Sequence, residues 1–482
     1  MSSLLSSSSL MMKMDSNRII LLKLFISGLS SYIFAIIYQL CLANNKSILL
    51  KHFFNISIGL SICLFNFGID TIHSLITCLT IYCSIRLLGP TRLMVILNFV
   101  FCMSYLLYGY YDKYLNNLHD VLTWTMPQCV LTLSLIALSF DIYDGQQNLK
   151  SKQNPNRNND KKNIITNEDT AIERIPTFIE ILSKCYFPPI FLIGPQIKFK
   201  DYIIFIESNE SILKSCWKPS ILRFLSGIIY LSIYQIGSIY WPTRYLLSDD
   251  FKSYGLFAKL TIIAITNKIT LCKYISGWLI SEGACIMYGI ARNPLNPHQH
   301  DRCSNVSIFH FETTATFRGI IESFNITTNQ FAMKYIFKRL KFLGSKMLSQ
   351  LMTLFFLALW HGFSIGYYNT FALEFLIVKM ETDIANKVIE YRTGNNGFNQ
   401  LLNNISIRWL LYLLMRIHVI YMLSYSLISF TILDFFKWTS TLSEIYYLGH
   451  IIYFGWFILS IPFNLLSSSN SSHKISNQQK NK

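Results

Sequence analysis

Long apolar segments recur from one end of this 482-residue chain to the other, and they constrain its fold more than any other feature. A helix of about twenty apolar residues crosses a hydrocarbon layer of roughly 30 Å. Only 14% of the residues are charged, whereas soluble domains carry about 25%. The apolar runs are continuous and do not alternate with polar residues as barrel strands would, so the spans are expected to be helices. The sequence therefore predicts an all-α polytopic membrane protein.

About eleven transmembrane helices are expected in this fold. The predicted spans are residues 19–42, 49–69, 72–88, 93–111, 121–140, 221–241, 256–272, 275–290, 348–375, 405–433 and 445–465. A shorter apolar run, 178–193, is interrupted by Pro188 and Pro189. It predicts a re-entrant or interfacial segment, because proline removes a backbone donor and the run is too short to span.

A single transmembrane domain is predicted over residues 19–465, between a polar N-terminal tail, 1–18, and a polar C-terminal tail, 466–482. A polar internal stretch, 293–346, carries histidine, carboxylate, arginine and asparagine side chains. A reaction that joins a lipid to a water-soluble donor requires such a place within a membrane protein. This stretch is therefore the predicted catalytic segment.

The net charge of +16 is concentrated in two polar segments. Residues 146–170, rich in Asn and Lys, predict a disordered basic loop. Lys334, Lys338 and Lys341 precede the span at 348–375, and the positive-inside rule places both segments on the cytosolic side. Because these basic blocks alternate with spans, membrane lipids or a phosphorylated cosubstrate are the expected partners, and no nucleic acid is expected.

Residues 331–344 are expected to form an amphipathic helix that Gly344 ends. The predicted apolar face comprises Phe331, Tyr335, Phe342 and Leu343, and the predicted basic face comprises Lys334, Lys338 and Lys341. Two interpretations stay open. The helix anchors the protein to anionic lipid, or its lysines hold the phosphates of a nucleotide-bearing donor.

One histidine, His361, lies inside the apolar run 348–375, in the tetrapeptide Leu359-Trp360-His361-Gly362. A polar imidazole at membrane depth usually faces a cavity or a substrate path, although a structural histidine bonded to a nearby carbonyl is the alternative. Asp141 and Glu282 also lie within apolar runs. Such carboxylates are either paired internally or in contact with substrate.

Several of these motifs resemble the signature of the membrane-bound O-acyltransferase (MBOAT) family, and more narrowly its lysophosphatidylcholine acyltransferase branch. The signature is carried by Phe324-Asn325, the run 334–344 and Leu359-Trp360-His361-Gly362. The likeness covers about 87–368. Its further motifs include Gly109-Tyr110-Tyr111, Trp124-Thr125-Met126-Pro127, Phe140-Asp141, Gly194-Pro195-Gln196, Ser281-Glu282-Gly283-Ala284-Cys285 and Asp301-Arg302-Cys303-Ser304-Asn305-Val306.

The resemblance implies a fold that encloses a catalytic cavity, with His361 and Asn325 as its catalytic residues. It implies transfer of a fatty acyl group from acyl-coenzyme A to the free sn-2 hydroxyl of a lysophospholipid during phospholipid remodelling in the endoplasmic reticulum membrane. Lysophosphatidylcholine is the expected acceptor, with the ethanolamine and serine analogues also accepted. No cofactor and no metal ion are expected, and a homo-oligomer is compatible with the sequence.

In that reaction a neutral imidazole, with an ordinary pKa near 6.5, suits the removal of a proton from an alcohol. His361 is the expected base. Asn325 is expected to orient His361, to bind the acceptor hydroxyl or to donate to the developing oxyanion. The candidate substrate-binding residues are Trp360, Lys334, Lys338, Lys341, Glu282 and Asp141.

Two other classes of function were considered. Another branch of the same family would use a different lysophospholipid, a sterol or a protein as acceptor, but no Phe-Tyr-x-Asp-Trp-Trp-like motif of the sterol type is present. A polytopic transporter would also have many spans and buried charges. Transporters often have two inverted halves with interrupted helices, and no such pairing is visible in this chain.

Overall fold

A computed structural model of the protein describes residues 22–116, 123–153 and 169–460. Every regular element in these ranges is a helix, which confirms the all-α prediction. The α-helices are α1 (Leu22–Leu42), α2 (Ile48–Phe67), α3 (Thr71–Leu88), α4 (Arg92–Leu115), α5 (Thr125–Gln153), α6 (Phe178–Cys185), α7 (Phe199–Glu207), α8 (Leu213–Tyr240), α9 (Asp249–Ser253), α10 (Leu256–Tyr288), α11 (Ile308–Thr313), α12 (Phe317–Ser323), α13 (Ile326–Phe331), α14 (Lys346–His361), α15 (Ile365–Gly394), α16 (Asn396–Asn403), α17 (Ile405–Ser426), α18 (Ile428–Ile432), α19 (Phe435–Ser443) and α20 (Leu448–Ser460). The predicted tails, 1–18 and 466–482, lie outside the described residues.

Six stretches of the described chain are long and apolar enough to cross a membrane, or seven if α19 and α20, which meet at a bend of 85°, form one broken span. The six are Leu22–Leu42, Ile48–Leu88, Arg92–Leu115, Thr125–Gln153, Leu213–Leu247 and Ile405–Ile432. The protein is therefore a multi-pass membrane protein. The expected number of about eleven spans is not confirmed.

Two predicted boundaries are wrong. The predicted spans 256–272 and 275–290 form one helix, α10, of 33 residues and about 50 Å. Lys273 and Tyr274 interrupt the apolar run there, but neither residue type breaks a helix. Conversely, the predicted span 348–375 is two helices, α14 and α15, because the chain leaves the helical conformation at Gly362.

The predicted re-entrant segment 178–193 begins as α6 and continues in turns. A capping box starts α6: the Thr177 hydroxyl accepts from the Glu180 amide, and the Glu180 carboxylate accepts from the Thr177 amide. The segment is buried: a Cβ on Gly59 would lie 1.7 Å from the Tyr186 carbonyl oxygen, and the Tyr186 hydroxyl lies 2.6 Å from the Ser74 hydroxyl. The segment thus packs directly on α2 and α3.

The predicted disordered loop, 146–170, is partly helical. Helix α5 continues to Gln153, because the basic and amide side chains that follow Gly145 are good helix formers. Residues 154–168 lie outside the described residues. The loop prediction is therefore wrong for 146–153.

The chain forms two compact units whose segments alternate along the sequence. The first unit contains the described part of 1–233 together with 272–307 and 324–363; the second contains 234–271, 308–323 and the described part of 364–482. The single domain predicted over 19–465 stays a prediction. The predicted catalytic segment, 293–346, contributes to both units, whereas Asn325 and His361 both belong to the first.

Candidate active site

His361 is the last residue of α14, and the residue is half-buried. The Ser345 hydroxyl caps the helix by accepting from the Leu348 amide at 3.2 Å. Gly362 follows with a φ of +129°, which only glycine adopts readily, and its amide donates to the Ala358 and Leu359 carbonyls. The 16 residues of α14 span about 24 Å. His361 is thus displaced by that length from the basic residues that precede the helix.

Trp360 fixes this end of α14 against α5. Its indole Nε1 donates to the Cys129 carbonyl at 3.1 Å, and the Tyr110 hydroxyl donates to the Trp360 carbonyl at 2.9 Å. The indole is edge-on to the His361 ring, with a centroid separation of 4.6 Å. Trp360 is buried. These contacts give Trp360 a positioning role, and its predicted contact with substrate stays a prediction.

Asn325 begins α13 in the left-handed conformation, with φ +52° and ψ +43°. Asparagine tolerates this conformation better than most residues because its short polar side chain bonds locally. Its side-chain oxygen accepts from the side-chain nitrogen of Asn305 at 3.3 Å. The Asn325 side-chain nitrogen has no partner among the described residues, and the side chain is half-buried. Two N–H donors are therefore available to a ligand.

Asn305 connects Asn325 to the rest of the site. Its side-chain oxygen accepts from the Thr327 amide at 2.9 Å and from the Thr327 hydroxyl at 2.7 Å. Its carbonyl accepts from the Ile326 amide at 2.9 Å. Asn305 is almost fully buried, so its bonds are shielded from water. The sequence placed Asn305 in a family motif but gave it no function.

Glu282, a predicted substrate-binding residue, holds the Asn305 segment in place. One carboxylate oxygen accepts from the Asn305 and Val306 amides at 2.7 and 3.0 Å. The other lies 2.9 Å from the Arg223 guanidinium. Since Glu282 is 1% exposed, this geometry favours a positioning role over contact with substrate. Arg223 was not identified from the sequence because nothing local pairs it with Glu282.

Gln196 links the Asn325 segment to the Trp360 segment. Its backbone amide donates to the Thr327 hydroxyl at 3.0 Å, and its side chain donates to the Val130 carbonyl at 2.9 Å. Val130 follows Cys129, the residue that binds the Trp360 indole. The Asn325 segment and Trp360, the chain neighbour of His361, are therefore both held through short chains of hydrogen bonds by adjacent residues of α5.

The residues after α13 are helical, but they do not form the regular amphipathic α-helix that was expected. A π-helix, Ala332–Phe337, is followed by a 3₁₀-helix, Lys338–Leu343, which ends at Gly344 with φ +69° as predicted. Tyr335 is buried, whereas Phe342 is 80% exposed. The single apolar face is therefore wrong for Phe342, because each change of helical pitch rotates the side chains away from the α-helical pattern.

This basic segment, 332–343, is docked on α5 through two buried carboxylates. The Tyr335 hydroxyl donates to Asp141 at 2.8 Å, and Arg339 forms an ion pair with Asp144. The Arg339 guanidinium also lies 4.9 Å from the centre of the Phe140 ring. Asp141 is 1% exposed, so it anchors the segment, and its predicted contact with substrate stays a prediction.

The three predicted phosphate-binding lysines differ in their surroundings. Lys334 lies 3.2 Å from Asp169, and its hydrogen bond holds the pKa of the Asp169 carboxyl below the usual value. Lys338 is half-buried and Lys341 is exposed, and neither has an ion-pair partner in the part of the chain that the structure describes. Because Asp169 belongs to the segment 146–170, the two basic segments are in contact through this ion pair.

The MBOAT, membrane-bound O-acyltransferase, family model matches residues 107–424 of this chain. The chain belongs to this family. It is 37% identical to lysophospholipid acyltransferase 5 of Bos taurus over 455 residues, which cover 92% of this chain and 88% of that protein. It is 36% identical to the Homo sapiens protein of the same name over 456 residues, with the same coverage, and 35% identical to the Drosophila melanogaster protein over 468 residues, 95% of this chain and 90% of that one.

As an MBOAT, the protein is an O-acyltransferase, so it uses an acyl donor. The matched region includes both residues predicted to be catalytic. Arg223, Gln196 and Thr327 complete the hydrogen-bonded support of this MBOAT site, and the sequence assigned none of them a role. Only the family motif around Gln196 could have drawn attention to one of them.

Proposed function

We propose that this MBOAT transfers a fatty acyl group from acyl-coenzyme A to the free sn-2 hydroxyl of a lysophospholipid, with lysophosphatidylcholine as the preferred acceptor. The observation that carries the proposal is that the Trp360–His361 segment and the Asn325 segment are hydrogen-bonded to adjacent residues of α5, which brings a base and an amide donor into one unit. The names of the most similar relatives, which match over most of their length, support the lysophospholipid class. The expected location is the endoplasmic reticulum membrane.

His361 acts as the base in this proposal. Its neutral imidazole takes the proton from the acceptor hydroxyl as the hydroxyl oxygen attacks the thioester carbonyl carbon. The tetrahedral intermediate then expels the coenzyme A thiolate, which takes the proton back from the imidazolium. Protons and electron pairs balance without an acyl-enzyme and without a cofactor. The position of His361 at the end of α14, where the residue is half-buried, supports this role, because a base must be reachable by substrate.

Asn325 acts as a hydrogen-bond donor. Its side-chain oxygen already accepts from Asn305, so only its nitrogen is available to a ligand. Donation to the oxygen that becomes negative in the tetrahedral intermediate would lower the barrier, and donation to the ground-state acceptor would lower KM. The first is proposed, because a donor fixed in advance stabilises developing charge without reorganisation.

Lys338 and Lys341 attract the phosphates of acyl-coenzyme A. A cation with no carboxylate partner is free to pair with a phosphate. The competing interpretation, attraction of the segment to anionic lipid, uses the same charges. It predicts a dependence on membrane composition and no dependence on the structure of the donor.

The test is acyl transfer by the purified full-length protein in liposomes of neutral lipid. Labelled acyl-coenzyme A would be supplied with lysophosphatidylcholine, its ethanolamine, serine and inositol analogues, a sterol or a peptide acceptor. We expect labelled diacyl products, formed fastest from lysophosphatidylcholine. Transfer to the sterol or the peptide alone would place the protein in another branch. Movement of a solute across the liposome without any transfer would favour a transporter.

A further inference from the structure

A cavity of about 340 Å³ lies in the first unit, and neither His361 nor Asn325 lines it. Its walls come from the end of α1, from α7 and the residues after it, and from the loop that follows α10. Tyr38, Phe205 and Tyr288 supply an aromatic wall: the Tyr38 ring centroid lies 5.3 Å from that of Phe205 and 5.5 Å from that of Tyr288. Cavities of this size and mixed lining are typical of small-molecule sites.

Two guanidinium groups line the same cavity. Arg292 and Arg302 stand at the two ends of the loop after α10, which the Arg302 amide closes by donating to the Ala291 carbonyl at 3.2 Å. Arg292 pairs with Glu210 at 3.0 Å, and the Glu210 side chain is 65% exposed. Such an exposed ion pair is weak, so a phosphate can compete for the arginine. One Nη of Arg302 pairs with Asp201 at 2.5 Å, and this more buried pair leaves the other guanidinium N–H groups to a ligand.

A third cation lies just behind the wall. Lys51 is fully buried, and its ammonium donates to the carbonyls of Ala43 at 3.2 Å and Ser208 at 2.5 Å, two residues that line the cavity. Its other partners are the Ile206 carbonyl and the Asn209 side chain, and none of its partners among the described residues is a carboxylate. A buried charge without a counter-ion is costly, and it makes this wall attractive to an anion.

The Tyr288 hydroxyl completes the polar lining. Tyr288 is fully buried, and its hydroxyl has no hydrogen-bond partner among the described residues. A buried hydroxyl left unpaired is destabilising, and a ligand oxygen in the cavity would give it a partner.

We propose that this cavity binds the headgroup phosphate of a glycerophospholipid, at a site separate from the catalytic pair. The two lining guanidinium groups and the unpaired hydroxyl match a phosphate, and the Lys51 ammonium adds positive charge behind the wall. The aromatic and aliphatic wall matches the glycerol and the first methylenes of the chains. The volume suits a headgroup and is too small for a whole acyl-coenzyme A. A free phosphate ion would satisfy the cations but leave the apolar wall uncovered.

The test measures binding to the purified full-length protein in neutral detergent, by the shift of its melting temperature. The ligands are dioctanoyl phosphatidic acid, dioctanoylglycerol, which has the same chains without phosphate, and inorganic phosphate. The variants are Arg292→Gln, which removes a cation, and Ser208→Trp, which fills the cavity from an exposed position and keeps all three cations. Arg408→Gln, at an exposed arginine of the second unit, is the matched control.

We expect phosphatidic acid to bind the wild type and Arg408→Gln equally, and to bind Arg292→Gln and Ser208→Trp about tenfold or more weakly, because a charged hydrogen bond or the whole site is lost. The melting temperature of each variant without ligand reports its folding separately. Equal binding to all four proteins would overturn the proposal. So would equal binding of dioctanoylglycerol, or an equal shift from inorganic phosphate alone. These melting-temperature shifts do not depend on turnover. The binding proposal can therefore fail while the proposed acyl transfer holds, and the reverse.

Discussion

The catalytic cluster, formed by Asn305, Asn325, Thr327, Trp360 and His361, and the basic segment, 332–343, differ in what satisfies their polar groups. Within the catalytic cluster, hydrogen bonds join largely buried neutral side chains and backbone groups, and the Glu282 carboxylate, paired with Arg223, supports the cluster through the Asn305 and Val306 amides. The basic segment is anchored by buried carboxylates. Lys338 and Lys341, its outer lysines, lack ion-pair partners among the described residues. The first arrangement fixes geometry, and the second leaves charge available. Changes in the cluster should therefore alter kcat, and changes in the outer lysines should alter the KM of the donor.

Removing the base should have the largest effect. We expect His361→Ala to lower kcat by about 10²–10⁴-fold, the range that general base catalysis contributes. Membrane insertion and the melting temperature should change little, because His361 is a half-buried residue at the end of its helix. Single-turnover acyl transfer measures the loss. His298→Ala, at an exposed histidine of the loop after α10, is the control and should retain full activity. Unfolding of His361→Ala would instead indicate a structural histidine.

The second change tests the amide donor without altering its shape. Asn325→Asp keeps a side chain that tolerates the left-handed conformation but replaces the N–H donors with an acceptor. We expect kcat to fall by about 10²–10³-fold, as when one oxyanion donor is lost. The KM of the lysophospholipid should stay constant. A rise in KM at unchanged kcat would show that Asn325 binds the acceptor in its ground state.

The third change tests whether the cluster acts through position. Thr327→Val keeps the shape of the side chain but removes the hydroxyl that donates to Asn305 and accepts from Gln196. We expect kcat to fall by roughly tenfold, because a small displacement of Asn325 misaligns the reacting groups. Thr327→Ser restores the hydroxyl and should restore kcat. If the serine variant were as slow as the valine variant, packing of the methyl group would be the cause.

The smallest effect is expected in the basic segment. Changing Lys338 and Lys341 together to Gln should raise the KM for acyl-coenzyme A by about fivefold, equivalent to roughly 1 kcal/mol for two solvent-screened contacts. The difference from wild type should shrink as salt is added. The KM of the lysophospholipid and kcat at saturating donor should not change.

The control for this pair is Lys252→Gln with Lys437→Gln, which removes the same charge from exposed positions of the second unit. An equal rise in the donor KM for both pairs would mean that net charge matters and position does not. If the Lys338 and Lys341 variant instead lost as much kcat as the variants of the catalytic cluster, the two regions would not differ in function as proposed.

The sequence identified most of what depends on local pattern. Apolar length predicted the all-α membrane fold, Gly344 predicted the end of the basic segment, and the family motifs singled out Asn325 and His361. Local pattern did not predict where helices continue or change their pitch. Helix α10 continues through Lys273, α5 continues to Gln153, and the segment after α13 changes from a π-helix to a 3₁₀-helix.

By itself, therefore, the sequence determined the class of fold, the family and the identity of the two residues proposed for the chemistry. Only the tertiary structure decided how those residues are held. The Trp360 indole meets a carbonyl 231 residues away, and the Gln196 amide meets a hydroxyl 131 residues away. The physical reason is that a helix or a cap is formed by neighbours along the chain, whereas the partner of a buried polar group is chosen by packing in three dimensions.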